Sequence, residues 1–392
     1  MEHPLVTNVD IISMLAELME DTQYLFFTSV TKAWRNAWGQ QRPHLTRAVT
    51  PHSTVSQLRE SFECGLARTP NVCAATAGIG KLDLLQFARE TGCPWNLQTC
   101  TMAALGGHLT SLQWARQNGC SWDESTCAAA ARGRHLSVLR WARENGCLWD
   151  WRTCYNSAQM GDLAILTWAR ENGCPWAEDT CAAAAWGGHL HVIQWAREHG
   201  CPWNRRVCEK AALGGHLNVL QWARETNCLE TSWSICCYAA YGGHLDVVQW
   251  ARANGCSWCL MTTWKAAEGG HLRVFKWALA NGCTMDNNTC AVAAKGGHLD
   301  VIRWAFDNGC PLKQNTCIAA AKGGHLEILR WACEKGLPWD KNICKIAACR
   351  GHLHILVWAR ANGFPWEDNI FPAAAAGKHD HIIQWARGIL QP

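Results

Sequence analysis

Apolar residues recur along most of this chain at helical spacing and in one repeated frame. Leu136, Val138, Leu139, Trp141 and Ala142 form a broad apolar face, while Arg140 and Arg143 point away from it. The spacing predicts a helix that Asn145 and Gly146 bring to an end. Upstream, the stretch from Asp123 through Thr126 and Cys127 to Ala131 has the composition of a shorter helix opened by a capping side chain. We name the first of the two helices A and the second B. Paired glycines such as Gly106 and Gly107 separate them, supplying the left-handed conformation that ends one helix and turns the chain into the next.

The frame returns at Lys81, His108, His135, Asp162, His189, His216, His244, His271, His298, His325, His352 and His379, at intervals of 27 residues with one of 28. Six residues beyond each of these positions stands an aromatic, Phe87 in the first copy and a tryptophan from Trp114 to Trp385 in the rest. A helix pair this small cannot bury its apolar face alone, so each copy must stack on its neighbours. The expected fold is all-α, a helical-repeat solenoid of about twelve helix-turn-helix units over residues 65–392, preceded by a small helical module at 1–60.

The unit resembles an ankyrin repeat, whose core also reads as a threonine-led first helix, Ala-Ala, a glycine turn and His-Leu with aliphatics. Thr99 with Ala103 to Leu109 carries the likeness, and so does Thr289 with Ala293 to Leu299. Two departures count. There is no Thr-Pro-Leu-His, and the unit is shorter, with only a tetrad such as Cys93-Pro94-Trp95-Asn96 linking one copy to the next. The resemblance then implies that the family's projecting hairpin is reduced to a tight loop, which leaves helix A as the contact element. The ends are atypical, as terminal repeats are. The last copy has Lys378 for a turn glycine, Asp380 for the buried leucine, and Phe364 and Phe371 for two periodic cysteines; the first has Ile79, Lys81 and Phe87.

Residues 1–60 follow a different pattern. Val9, Ile11, Ile12, Leu15 and Leu18, then Leu25, Val30 and the closing Lys32-Ala33-Trp34-Arg35, predict two or three short amphipathic helices. This segment is similar to the F-box of ubiquitin-ligase substrate receptors, although Asn8 stands where the family's opening proline falls. The resemblance implies that Leu15, Leu18, Leu25, Val30 and Trp34 dock a Skp-type adaptor of a cullin ligase. The alternative is a cap on the repeats, which makes the chain a plain scaffold or sequestering protein.

Composition narrows the chemistry. The hydrophobic fraction of 48% and charged fraction of 17% describe a folded chain. Its N-terminus lacks the basic start and unbroken apolar stretch of a secretory signal, so the expected place is intracellular, cytoplasmic or nuclear, with no membrane span. The 24 cysteines are then read as reduced thiols. A net charge of +4 spread along the chain leaves no nucleic-acid footprint, so no such partner is expected. Neither metal nor cofactor is expected, because zinc sites pair ligands two to four residues apart and only Cys256 with Cys259 does so. Every candidate nucleophile recurs in each copy, which argues against an active site and for a non-enzyme. The periodic histidine is read as a helix-start residue whose ring bonds neighbouring backbone or the next repeat.

Function is sought where copies differ. The widest differences lie eleven, seven and three residues before the histidine position, on one face of helix A. Along this stripe the middle copies place Trp151, Tyr155, Trp186, Trp233, Tyr241 and Trp264, and the later ones Lys295, Lys322 and Lys345. Exposed aromatic clusters are typical protein-binding hot spots. The expected activity is therefore capture of a partner protein by this face.

Overall fold

The structure, a computed structural model, describes residues 49, 53–63, 65–227, 233–286, 288–340, 342–365 and 370–390. Leu15, Leu18, Leu25, Val30 and Trp34 lie outside the described residues. The chain divides into two compact units, residues 1–153 and 154–392. Among the described residues there are 25 helices and no strand. The first helix, Val55–Glu63, runs across the boundary expected at residue 60 and packs its Phe62 against Phe87 with ring centroids 6.3 Å apart.

Helix starts and ends follow the side chains that predict them. Asp123 accepts a bond from Ser125 N and opens the A helix Glu124–Arg132, satisfying a backbone donor that no helical carbonyl can reach. The following B helix, Leu136–Glu144, ends at Asn145, whose Nδ2 donates to Trp141 O at 2.8 Å, and at Gly146 with φ 82°. In that B helix Val138, Leu139 and Ala142 are fully buried. Burying one valine or leucine stabilises by roughly 1.5–3 kcal/mol, so the aliphatic pair contributes the larger share per copy. Within the two units, A helices such as Leu97–Leu105 and Arg206–Gly214 lie against the A helices before and after them and against their own B helices. This is a helical-repeat architecture.

The periodic histidine is the key between copies. Its Nε2 lies 2.8 Å from Trp186 O for His216, 3.0 Å from Leu213 O for His244 and 3.0 Å from Glu268 O for His298. The ring therefore reaches back to the preceding copy, not forward to the next. That direction of stacking could not be read from spacing. The same ring rests on the second turn glycine of that preceding copy: a Cβ added at Gly297 would stand 2.7 Å from His325 Cε1. Ten copies are followed by a histidine, and all ten have glycine at this position. The remaining two have Arg134, whose following copy carries Asp162, and Lys378 in the twelfth copy. Both residues keep the left-handed backbone, at φ 62° and 59°. Glycine is thus demanded by the ring more than by the turn. The first turn glycine obeys a looser version, with Ile79 and Met160 beside Lys81 and Asp162, and Arg350 beside His352 as a departure.

The linker tryptophan is a second clamp. Trp95 lies beneath the Arg89 guanidinium of the preceding B helix at 4.1 Å and edge-on to Trp114 of the following one at 5.7 Å. Arg89 also donates to Cys93 O at 2.6 Å, which fixes the guanidinium over the ring. Trp176 repeats the arrangement with Arg170 at 4.1 Å and Trp195 at 6.3 Å. Where the arginine is Leu279 or Phe306 the tryptophan is replaced too, by Met285 and Leu312, whereas Cys333 keeps Trp339 and Arg224 is followed by Glu230.

Candidate functional site

The repeated polar groups are absorbed by packing. Of the cysteines in described positions, all but Cys259, Cys333 and Cys349 are buried. Burial pushes the Cys73 and Cys317 thiols up to about 12 and the Cys344 thiol to about 11, so they persist as neutral packing groups. Cysteines twenty residues apart form pairs: Cys100, Cys181 and Cys290 are raised first by hydrogen bonds to the sulfurs of Cys120, Cys201 and Cys310, then by burial. No group of three or more histidine, cysteine or carboxylate residues suited to a metal occurs among the described residues.

Burial also lowers the pKa of His108, His135, His271 and His352, against the opposing pull of the carbonyl each ring bonds. A folded-state pKa below the unfolded value of about 6.5 means that the unfolded chain takes up protons first as pH falls. Stability is then complete above that value and declines below it. The urea midpoint is expected to fall between about pH 7.5 and pH 5.5, with a smaller fall in His352→Gln, and a flat profile would contradict this.

What remains to vary faces outward from the A helices of residues 154–392. Trp186 is 41% exposed and Tyr241 42%. They occupy one row, the third position before the histidine, with Leu213 and Glu268 as its other middle members. The backbone carbonyls of Trp186, Leu213 and Glu268 are the atoms that His216, His244 and His298 bond. The histidine key therefore fixes the backbone from which each row side chain projects. Cations lie over the aromatic rings, Lys210 at 5.4 Å from the Trp186 centroid and Lys265 at 5.1 Å from that of Tyr241. Lys265 is paired with Glu268 at 2.6 Å. Each lysine stem thus covers one side of a ring and leaves the rest in water.

The middle position of the expected stripe is covered to different extents from copy to copy. Seven residues before the histidine, Ala128, Ala182 and Cys237 are buried, Tyr155 and Trp264 are half-buried and Lys345 is exposed. The Trp264 indole Nε1 is itself buried with no partner among the described residues. One residue further on, Tyr238 is 38% exposed, while Lys210 and Lys265 are half-buried. Four-residue spacing groups these positions on one face, and the stacked A helices cover them unevenly. Trp151, in the A helix Trp151–Gln159, is 45% exposed. The side chain of Trp233 lies outside the described residues.

Farther along, Lys295 and Lys322 continue the row and are exposed, as is Lys345 in the next copy. Their A helices, Thr289–Gly296, Gln314–Gly323 and Asn342–Arg350, contain no carboxylate. His325 and His352 hold the Lys295 and Lys322 carbonyls at 3.1 and 3.2 Å.

No protein-family model matches the chain, and no curated protein matches it. Solved structures similar to it include the human ASB11 ankyrin repeat domain, at 17% identity and a TM-score of 0.33, over 40% of this chain and 84% of that one. Another is the pentatricopeptide repeat protein PPR10 in complex with an 18-nt psaJ RNA element, at 14% identity and a TM-score of 0.34, over 99% of this chain and 66% of that one. PPR10 from maize matches at 14% identity and a TM-score of 0.32, over 81% of this chain and 57% of that one.

Proposed function

We propose that the chain is a non-enzymatic interaction module that captures a partner protein on the A-helix row of residues 154–392. The observation that supports it is the histidine bond to each row carbonyl, which holds a line of differing side chains on repeated, rigid supports. Trp186 and Tyr241 anchor apolar side chains of the partner, and Lys295, Lys322 and Lys345 meet an acidic stretch of it. Paired aromatics with a charged flank suit a protein segment better than a polyanion, whose affinity would rest on the lysines alone. Loss of a captured protein on Trp186→Ala and Tyr241→Ala tests the reading. Tight, salt-sensitive binding of single-stranded RNA that Lys295→Glu and Lys322→Glu abolish and Trp186→Ala leaves intact would replace it.

The finer reading, a ubiquitin-ligase substrate receptor, rests on the F-box resemblance of residues 1–60. In it Leu15, Leu18, Leu25, Val30 and Trp34 bind a Skp-type adaptor, and the repeats select the protein to be modified. The intact chain is expected to recover adaptor and cullin in a pull-down, and a chain lacking residues 1–60 to recover neither. Recovery of neither by the intact chain would leave a scaffold.

A further inference from the structure

We infer that Cys237 and Cys259 form a dithiol site that a peroxide converts to a disulfide, stapling two consecutive copies beneath Tyr241. Both residues depart from the repeat. Cys237 stands where other copies have Thr101, Tyr155, Glu209 or Trp264, and Cys259 occupies the A-helix capping position held elsewhere by Asn96 or Asp123. Neither is needed by the packing scheme, yet the stacking brings their Sγ atoms to 3.0 Å across a separation of 22 residues. That is about 1 Å beyond a disulfide bond length of ~2.05 Å. Thr262 Oγ1 lies beside both, 3.6 Å from Cys237 Sγ and 3.9 Å from Cys259 Sγ.

Access separates this pair from the periodic ones. Cys181 and Cys201 are each 1% exposed, and Cys236 and Cys256 are 0% and 2% exposed, so an oxidant reaches neither pair. Cys259 is half-exposed while Cys237 behind it is 5% exposed. Burial raises the Cys237 thiol, which assigns first attack to Cys259. Its sulfur attacks one peroxide oxygen: an S–O bond forms, the O–O bond breaks, and the departing oxygen takes the thiol proton as an alcohol or water. The Cys237 sulfur then attacks the sulfenic sulfur of Cys259; the S–S bond forms, the S–O bond breaks, and water leaves with the Cys237 proton. Two thiols lose two electrons and two protons to one peroxide. The bond ties the A helix Trp233–Gly242, which bears Tyr241, to the start of Leu260–Glu268, which bears Lys265.

The test treats the full chain with hydrogen peroxide, digests it without reductant and reads cross-linked peptides by mass spectrometry. The expected result is a Cys237–Cys259 link that forms before any other and is reversed by dithiothreitol. In Cys237→Ser, which circular dichroism should show folded, Cys259 is expected to stop as a sulfenic acid that a dimedone probe labels. Oxidation of Cys259 in the unsubstituted chain with Cys237 left as a free thiol would overturn the inference, and so would periodic pairs that cross-link equally fast. The link is independent of any partner, so failure of the binding reading leaves this readout unaffected.

Discussion

Gly297→Ala is expected to cost about 3 kcal/mol of stability in the unsubstituted chain but only about 1 kcal/mol when His325→Ala is already present. Two terms make up the larger figure. Gly297 has φ 88°, and a left-handed backbone costs an L-residue about 1–2 kcal/mol. The added Cβ would also stand 2.7 Å from His325 Cε1 and 2.8 Å from Nδ1, and overpacking of that kind costs roughly 1–3 kcal/mol. Removing the ring deletes the second term and leaves the first. Gly309 supplies the control, since at φ 91° it has the strain and nothing within 4 Å of an added Cβ, so Gly309→Ala should cost about 1 kcal/mol. Urea unfolding of the four variants closes the cycle. Equal costs for Gly297→Ala with and without the histidine would show that the turn alone demands glycine. Arg134 points the other way, being a side chain accepted in the left-handed conformation where the following copy carries Asp162 in place of the histidine.

That coupling bears on how much of the molecule its sequence discloses. The period, the helix pair, the cap at Asp123 and the Asn145-Gly146 stop were legible, because each rests on local chemistry that one copy displays in full. The histidine was legible as structural but not as to direction, since one copy forward and one copy back satisfy the same spacing. The link between Arg134 and Asp162 could have been found, because a repeat protein carries twelve comparisons within itself. Arg89 over Trp95 left a weaker trace, since both types are lost at Leu279 with Met285 and Phe306 with Leu312 but Cys333 keeps Trp339. No such trace marks Cys237 and Cys259, each of which departs from the pattern once. Helical spacing groups the A-helix positions on one face, and the packed neighbour decides how far each, such as Trp264 or Tyr155, is covered.

The aromatic row carries the other large effect. Trp186→Ala and Tyr241→Ala should each weaken capture of the partner by about 30-fold, or roughly 2 kcal/mol, and together by more than either alone. The argument begins with what these side chains do not do. Each is about two-fifths exposed and meets the next copy through a lysine laid over a ring face, so truncation should shift folding stability by no more than ~1 kcal/mol. Lys210 and Lys265 already lie over the rings and limit their rotamers, so less freedom is lost when a partner covers the remaining faces. Val357, at 46% exposure on the B helix Leu353–Ala361, is an equally accessible apolar side chain on the other helix of its copy. Val357→Ala should leave capture unchanged. A partner isolated by cross-linking to the full chain and titrated against these variants gives the measurement. Equal losses at Val357 and Trp186 would mean general stickiness, whereas loss confined to Trp186 and Tyr241 would place recognition on the row whose carbonyls the histidines hold.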